Sequence, residues 1–184
     1  GECLETSPGN RCEEGLPIEA VTQIIRGSFQ EGYTSTSRGS CAGAGPEVFY
    51  ELTLDQPNRL TATATGLDTV LYLRDACDRG EELICIDDSR PPGRYGSRIE
   101  LPLSTGTYHL ALDSYSSDER GEFNLEIELC ERVCELGERR CSTSDEAVVD
   151  ACQVDDTGCV RWLPAETCTE GLCQAGECLI TQTG

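Results

Sequence analysis

The sequence predicts a mostly β chain, an antiparallel β-sandwich of jelly-roll type followed by a small disulfide-rich domain with little regular secondary structure. Three observations predict it. Apolar residues alternate with period two between Glu47 and Leu129, turn-forming residues separate the alternating runs, and eight of the 13 cysteines fall between Cys130 and Cys178. Alternation marks strands that bury one face, and short strands divided by turns with no helical stretch between them read as a sandwich.

Residues 1–17 hold Cys3 and Cys12 and are expected to be an N-terminal segment tethered by disulfides to the sandwich. In Pro17–Arg26 the apolar residues Ile18, Val21 and Ile25 also fit a helix, but the β-branched content favours a strand. Val48, Tyr50, Leu52 and Leu54 then share one face of a strand, and Leu60, Ala62 and Ala64 share another. Val70–Leu73 and Leu83–Ile86 are apolar on both faces and are expected to lie centrally in a sheet. Ile99, Leu101 and Leu103, then Tyr108, Leu110 and Leu112, then Phe123, Leu125, Ile127 and Leu129 complete the pattern. The intervening positions are mostly Glu, Thr, Arg or Asp. Asp55-Gln-Pro-Asn58, Thr65-Gly-Leu-Asp68, Asp78-Arg-Gly80, Pro91-Pro-Gly93, Ser104-Thr-Gly106 and Arg120-Gly121 supply the turns.

After Leu129 alternation stops. Residues 130–184 are too few to offset chain entropy by burying apolar surface, and cross-links worth about 2–4 kcal/mol each substitute for packing in domains of this size. Ala147–Ala151 and Val160–Leu163 are the expected strands, with Val149 and Trp162 as the sizeable apolar groups and Gly137, Gly158, Gly171 and Gly176 as turn positions. Cys130, Cys134, Cys141, Cys152, Cys159, Cys168, Cys173 and Cys178 allow 105 pairings, so spacing leaves their connectivity open. Cys77 and Cys85 flank the Asp78–Glu82 turn and are expected to bond across a hairpin. Thirteen thiols cannot all pair within one chain. Cys3, Cys12 and Cys41 are therefore candidates for a free or intermolecular thiol, Cys41 and Cys3 foremost.

Such cysteine density belongs to an oxidising compartment, so the protein is expected outside the cytoplasm, extracellular or at a bacterial cell surface. The absence of a charged-then-apolar leader fits a mature exported chain, and no run of about 18 apolar residues is present to span a bilayer. Net charge is −20, with 14 arginines and no lysine against 34 acids. Both parts are acidic, which argues against nucleic acid and anionic membranes as partners and leaves cations and basic proteins open.

Catalysis has little support. His109 is the one imidazole, on a strand where alternation points it to the solvated face, and no nucleophile motif accompanies it. The cysteines lack the repeated short couples of zinc sites. No cofactor is expected, calcium excepted. Asp68, Asp87, Asp88 and Asp113 lie at strand ends that a sandwich can gather at one pole, and clustered hard oxygen ligands suit calcium. The competing and commoner role is that such aspartates hydrogen-bond their own turns. Asp155-Asp-Thr-Gly158 reads as a turn, since it lacks the alternating ligands of a calcium loop.

Pro46-Glu-Val-Phe-Tyr-Glu-Leu-Thr-Leu54, Asp68-Thr-Val-Leu-Tyr-Leu-Arg-Asp75, Cys85-Ile-Asp-Asp-Ser89 and Gly106-Thr-Tyr-His-Leu-Ala-Leu-Asp113 occur in the order found in the bacterial pre-peptidase C-terminal domain, which residues 18–129 resemble. The resemblance implies a jelly-roll sandwich and a non-catalytic module for targeting, secretion or binding, of the kind appended to secreted peptidases. Residues 130–184, from Cys134-Glu-Leu-Gly-Glu-Arg-Arg-Cys141 through Trp162 to Cys178, are similar to cysteine-rich modules of secreted and lipid-anchored myxobacterial proteins. In those modules the residue after the Thr-Gly pair is commonly not cysteine, so Cys159 departs from the pattern and Cys130 is a candidate for its added partner.

The expected function is a non-catalytic structural or adhesion protein that self-associates or binds another cell-surface protein. A filament or surface assembly is its specific form, with a protruding strand from residues 17–30 available to a neighbour's sheet edge. The alternatives are a targeting module of a secreted hydrolase, with Tyr33, Tyr95 and Tyr115 on one loop face, and a calcium-stabilised stalk.

Overall fold

A computed structural model of the chain describes residues 7–30, 32–41, 43–77, 80–88, 95–131, 133–155, 159–169 and 172–179. The chain divides into two compact units, Gly1–Leu129 and Cys130–Gly184. No described helix is long and apolar enough to cross a membrane.

In the first unit the strands are β1 (Leu16–Ile18), β2 (Gln23–Phe29), β3 (Glu47–Leu54), β4 (Asn58–Thr65), β5 (Thr69–Arg74), β6 (Glu82–Asp87), β7 (Ser97–Leu103), β8 (Gly106–Ser114) and β9 (Gly121–Glu131). They form two sheets, β1-β3-β8-β5-β6 and β2-β9-β4-β7. Apart from β1, which runs parallel to β3, this is the strand order of a jelly roll. The alternating residues of the sequence meet between the sheets: Val48, Tyr50, Leu52, Leu54, Leu60, Ala62, Ala64, Ile99, Leu103, Tyr108, Leu110, Leu112, Phe123, Leu125 and Ile127 form one buried cluster, joined by Leu71 and Leu73.

Alternation fails at one place, and the failure is informative. In β3, β5 and β8 the outward-facing residues Glu47, Phe49, Val70, Tyr72, Ala111 and Asp113 are as buried as the inward ones. The N-terminal chain accounts for this: the 3-10 turn Cys12–Glu14 and the segment before β3 lie over this outer face, where Cys12, Phe49, Tyr72 and Ala111 make a second small core with Cys77 and Cys85 packed against it. Phe49 meets Tyr72 edge-on, ring centroids 6.1 Å apart. The covering segment packs so closely that a Cβ on Gly39 would stand 2.7 Å from both the Cys85 sulfur and the Tyr72 ring.

Two disulfides fasten this cover, Cys12–Cys77 and Cys41–Cys85, closing spans of 65 and 44 residues. They overturn the expected Cys77–Cys85 bond. The β5–β6 ladder sets Tyr72 opposite Cys85 and ends with Arg74 opposite Glu82, so Cys77 lies beyond the ladder rather than across it. Cys12 and Cys41 are thus not free; Cys3 lies outside the described residues.

Two further expectations change. Leu83–Ile86 lies in β6, an edge strand: Ile84 and Ile86 pack against the core, Cys85 is bonded to the cover on the outer side, and Leu83 on that side is exposed. Residues 17–30 do not protrude: β2 pairs with β9 from Gln23–Ile127 to Phe29–Gly121, and Phe29 reaches the core. Ile18 and Ile25 fall on separate strands, so the ambiguous stretch is β.

The second unit contains β10 (Arg139–Cys141), β11 (Val148–Val154) and β12 (Val160–Thr167) in one sheet, and the hairpin β13 (Cys173–Gln174) and β14 (Glu177–Cys178). Cys130–Cys159, Cys134–Cys152, Cys141–Cys173 and Cys168–Cys178 bind it together. Val149 is fully buried, and around it sulfur does much of the filling: Cys134, Cys152, Cys159 and Cys168 are all buried. The Arg140 guanidinium stands 4.3 Å over the Trp162 ring and 3.6 Å from Asp150, so Trp162 is covered by a cation rather than by a core.

Candidate functional site

The four aspartates singled out from the sequence separate into two acidic sites. Asp68 follows the β4–β5 turn, Asp87 closes β6 and Asp88 comes next in a left-handed conformation, φ 49°. Because β6 pairs with β5 so that Asp87 faces Val70, two residues past Asp68, the three carboxylates converge and a ligand atom from each lies within 4.8 Å of the others. Burial raises the Asp68 carboxyl pKa above its ordinary value, and Asp88, Glu119 and Asp87 add to that by repulsion. Asp87 is raised likewise by burial and by Asp88. Among the described residues no arginine pairs with any of the three.

The rim of this site is built from β-turn backbone. Glu119 Oε1 accepts a hydrogen bond from the Asp68 N–H at 3.1 Å. The Tyr115 N–H donates to the Asp68 carbonyl, and the Thr69 N–H donates to the Tyr95 carbonyl. Tyr95 and Tyr115, about half exposed, are thereby held on the two sides of Asp68–Thr69. Tyr33 does not join them, since it packs edge-on against Phe29 and donates its hydroxyl to the Pro8 carbonyl.

Asp113 stands elsewhere, which corrects the expected four-aspartate cluster. It lies on the outer face of β8 opposite Glu47, under the N-terminal cover, and both side chains are fully buried. The reason is register: Asp113 and Asp87 both flank Val70, from opposite sides, so β5 separates them. Glu47 Oε1 accepts hydrogen bonds from the Thr36 and Ser37 backbone N–H groups and from the Thr36 hydroxyl, and Oε2 accepts one from the Tyr72 hydroxyl at 2.7 Å. With four donors from the cover and from β5, that carboxylate ties the cover to the sheet. Asp113 has no hydrogen-bond partner for either oxygen among the described residues. Burial first, and then the Glu47 charge, push its carboxyl pKa up to about 8, against a smaller opposite effect of Arg38. Burial and Glu47 also raise the Tyr72 hydroxyl.

Glu47 was not among the residues expected from the sequence. Only the β3–β8 register reveals that it faces Asp113, although an acid at the head of an alternating strand beside a downstream acid is a signal that strand pairing could have tested. His109 is half-buried rather than solvated, flanked in register by Glu51 and Arg74, and sits beside the Cys12–Cys77 bridge. The Cys12, Cys77 and His109 group is not a metal centre, because both sulfurs are spent in that bridge. A cleft of about 420 Å³ opens between the cover and the bridge, lined by Arg11, Cys12, Glu13, Thr36, Ser37 and Cys77. The paired carboxylates Glu47 and Asp113 lie fully enclosed, so no substrate reaches them as an acid–base pair.

No family model and no curated protein matches the chain. Among solved structures it is similar to the pre-peptidase C-terminal domain of a collagenase from Bacillus anthracis, 13% identical, covering 62% of this chain and 95% of that one with a TM-score of 0.46. It is also similar to PliG, a periplasmic inhibitor of g-type lysozyme. The Aeromonas hydrophila protein is 16% identical, with coverages of 62% and 95% and a TM-score of 0.42; the Salmonella Typhimurium protein is 12% identical, with coverages of 62% and 98% and a TM-score of 0.38. The likeness is one of fold.

A carboxyl whose pKa is raised in the fold favours the folded state while protonated, and that contribution fades as pH rises from its unfolded value of 3.8 to about 8. Thermal unfolding monitored from pH 4 to 9 should therefore show a loss across this window that Asp113→Asn removes. The substitution should stabilise by about 2 kcal/mol at pH 9 and change little at pH 4. Equal pH dependence in the two proteins would contradict the assignment.

Proposed function

We propose that the chain is an exported, non-catalytic structural or adhesion module that works in an extracellular or cell-surface assembly. The observation that carries this reading is the six disulfides, which engage twelve of the 13 cysteines and clamp both the N-terminal cover and the second unit. Such a framework suits a protein that keeps its shape in an oxidising space without a partner enzyme's help. The single histidine, beside a cystine and with its Nδ1 bonded to no nucleophile among the described residues, supports a role other than catalysis.

The twelve bonded cysteines leave no intrachain partner for Cys3. A single thiol forms a single bridge, so Cys3 alone gives a dimer or a link to another protein, and a filament requires a second, non-covalent contact. Non-reducing electrophoresis of native material, with thiols blocked at harvest, should show a covalent dimer or adduct that Cys3→Ser abolishes. Monomer alone would overturn the covalent form of this proposal.

A second reading is favoured by the convergence of Asp68, Asp87 and Asp88: a calcium ion stabilises this pole of the sandwich, where hard oxygen ligands on turns suit it. Tyr95 and Tyr115 beside it would then frame a contact surface, as a targeting module of a secreted hydrolase requires. Chelation should lower the melting temperature by several degrees in the parent and not in Asp87→Asn; an unchanged parent would remove calcium from the account.

A further inference from the structure

The Cys12–Cys77 bridge differs from the other five in its surroundings. A ring nitrogen of His109 and the two bridge sulfurs lie within 4.8 Å of one another. His109 Nδ1 is buried and has no hydrogen-bond partner among the described residues, so it is not committed to a structural bond. The bridge also forms part of the wall of the cleft with Arg11, Glu13, Thr36 and Ser37, and Cys77 is the less buried of its two residues. Cys41–Cys85 provides an internal comparison, because it fastens the same cover, is partly exposed on both sides and has no imidazole beside it. We propose that Cys12–Cys77 is a thiol-exchange site, at which an external thiol adds to Cys77 and His109 supplies the proton to the departing Cys12.

The chemistry balances with a thiol as the co-reactant. The attacking thiol gives up its proton, its sulfur bonds to Cys77 Sγ, and the Cys77–Cys12 bond breaks with the electron pair leaving on Cys12 Sγ. Protonated His109 passes its proton to that sulfur and is reprotonated by the one the attacking thiol released. A second thiol then attacks the sulfur of the first, which breaks its bond to Cys77; the electron pair leaves on Cys77 Sγ, and that sulfur takes up the proton the second thiol released. Two thiols have then been oxidised to one disulfide, and the protein's cystine has been reduced to two thiols. Exchange speeds up as the leaving thiol becomes more acidic, and a neighbouring imidazolium makes it so. Imidazole is the side chain that ordinarily changes charge between pH 5 and 8. The other charged groups around it are Glu51 and Arg74 on the adjoining strands and Arg11 and Glu13 along the cleft, so the local field is mixed rather than uniformly acidic. Opening the bridge frees the Cys12 end of the cover while Cys41–Cys85 still holds the other.

The test is limited reduction of the full chain with reduced glutathione, alkylation at intervals and peptide mass spectrometry. Cys12 and Cys77 should be labelled first, about tenfold faster than Cys41 and Cys85 at pH 6–7. His109→Gln should remove most of that advantage and leave the Cys41–Cys85 rate unchanged. Another bridge opening first in the parent, or an advantage that survives in His109→Gln, would overturn the proposal. The parent order needs no variant, and His109→Asn repeats the comparison should His109→Gln loosen all six bridges together.

Discussion

The N-terminal cover and the two bridges that hold it, Cys12–Cys77 and Cys41–Cys85, are the constraint on which the rest of the first unit depends. A sandwich of two sheets has one interior, and its outer faces ordinarily meet water. Here one outer face is closed by a segment with little apolar surface of its own, rich in Ser, Thr and Gly between residues 32 and 45. Such a segment cannot dock through hydrophobic burial alone. Loop-closure entropy supplies the difference: spans of 65 and 44 residues correspond to about 4 kcal/mol each in the chain-entropy account.

Closing that face decides the electrostatics beneath it. Glu47 and Asp113 face each other fully buried, with no arginine bond among the described residues, an arrangement that two free carboxylates would not tolerate. The protein resolves it asymmetrically. Glu47 receives four hydrogen-bond donors, while Asp113 receives none among the described residues and its carboxyl is pushed up to about 8. The carboxylate that joins the cover to β3 thus adds, after burial, to the upward shift of its neighbour. At the pole formed by Asp68, Asp87 and Asp88 the crowding is instead left partly open to solvent.

Much of the fold was legible because one signal dominates it. Each alternating run, from Val48–Leu54 to Phe123–Leu129, delivered its apolar residues to the interior, and the turn residues 55–57, 66–68 and 104–105 fell between strands, while the expected turn positions 78–79 and 91–93 lie outside the described residues. What escaped was everything that depends on a third layer. Leu83–Ile86 looked central because both its faces are apolar, when on the outward side Cys85 is covered by the chain rather than by another strand and Leu83 is exposed. Cys77 and Cys85 looked like partners because a hairpin joins them, yet register moved one past the ladder and left each facing a different part of the cover. Of the candidate site, three aspartates converge as expected. Asp113 does not, since a spacing that places residues at strand ends carries no information about which side of β5 they occupy. Glu47 had only its place at the head of an alternating strand, which says nothing about its partner until strand pairing is known.

The pairing of the first four described cysteines tests the account most directly, because the cover, the second small core and the Asp113 environment all require it. Proteolysis of the unreduced protein and then mass spectrometry should yield cross-linked peptides joining Cys12 to Cys77 and Cys41 to Cys85. A peptide joining Cys77 to Cys85 would leave the outer face uncovered and contradict the account.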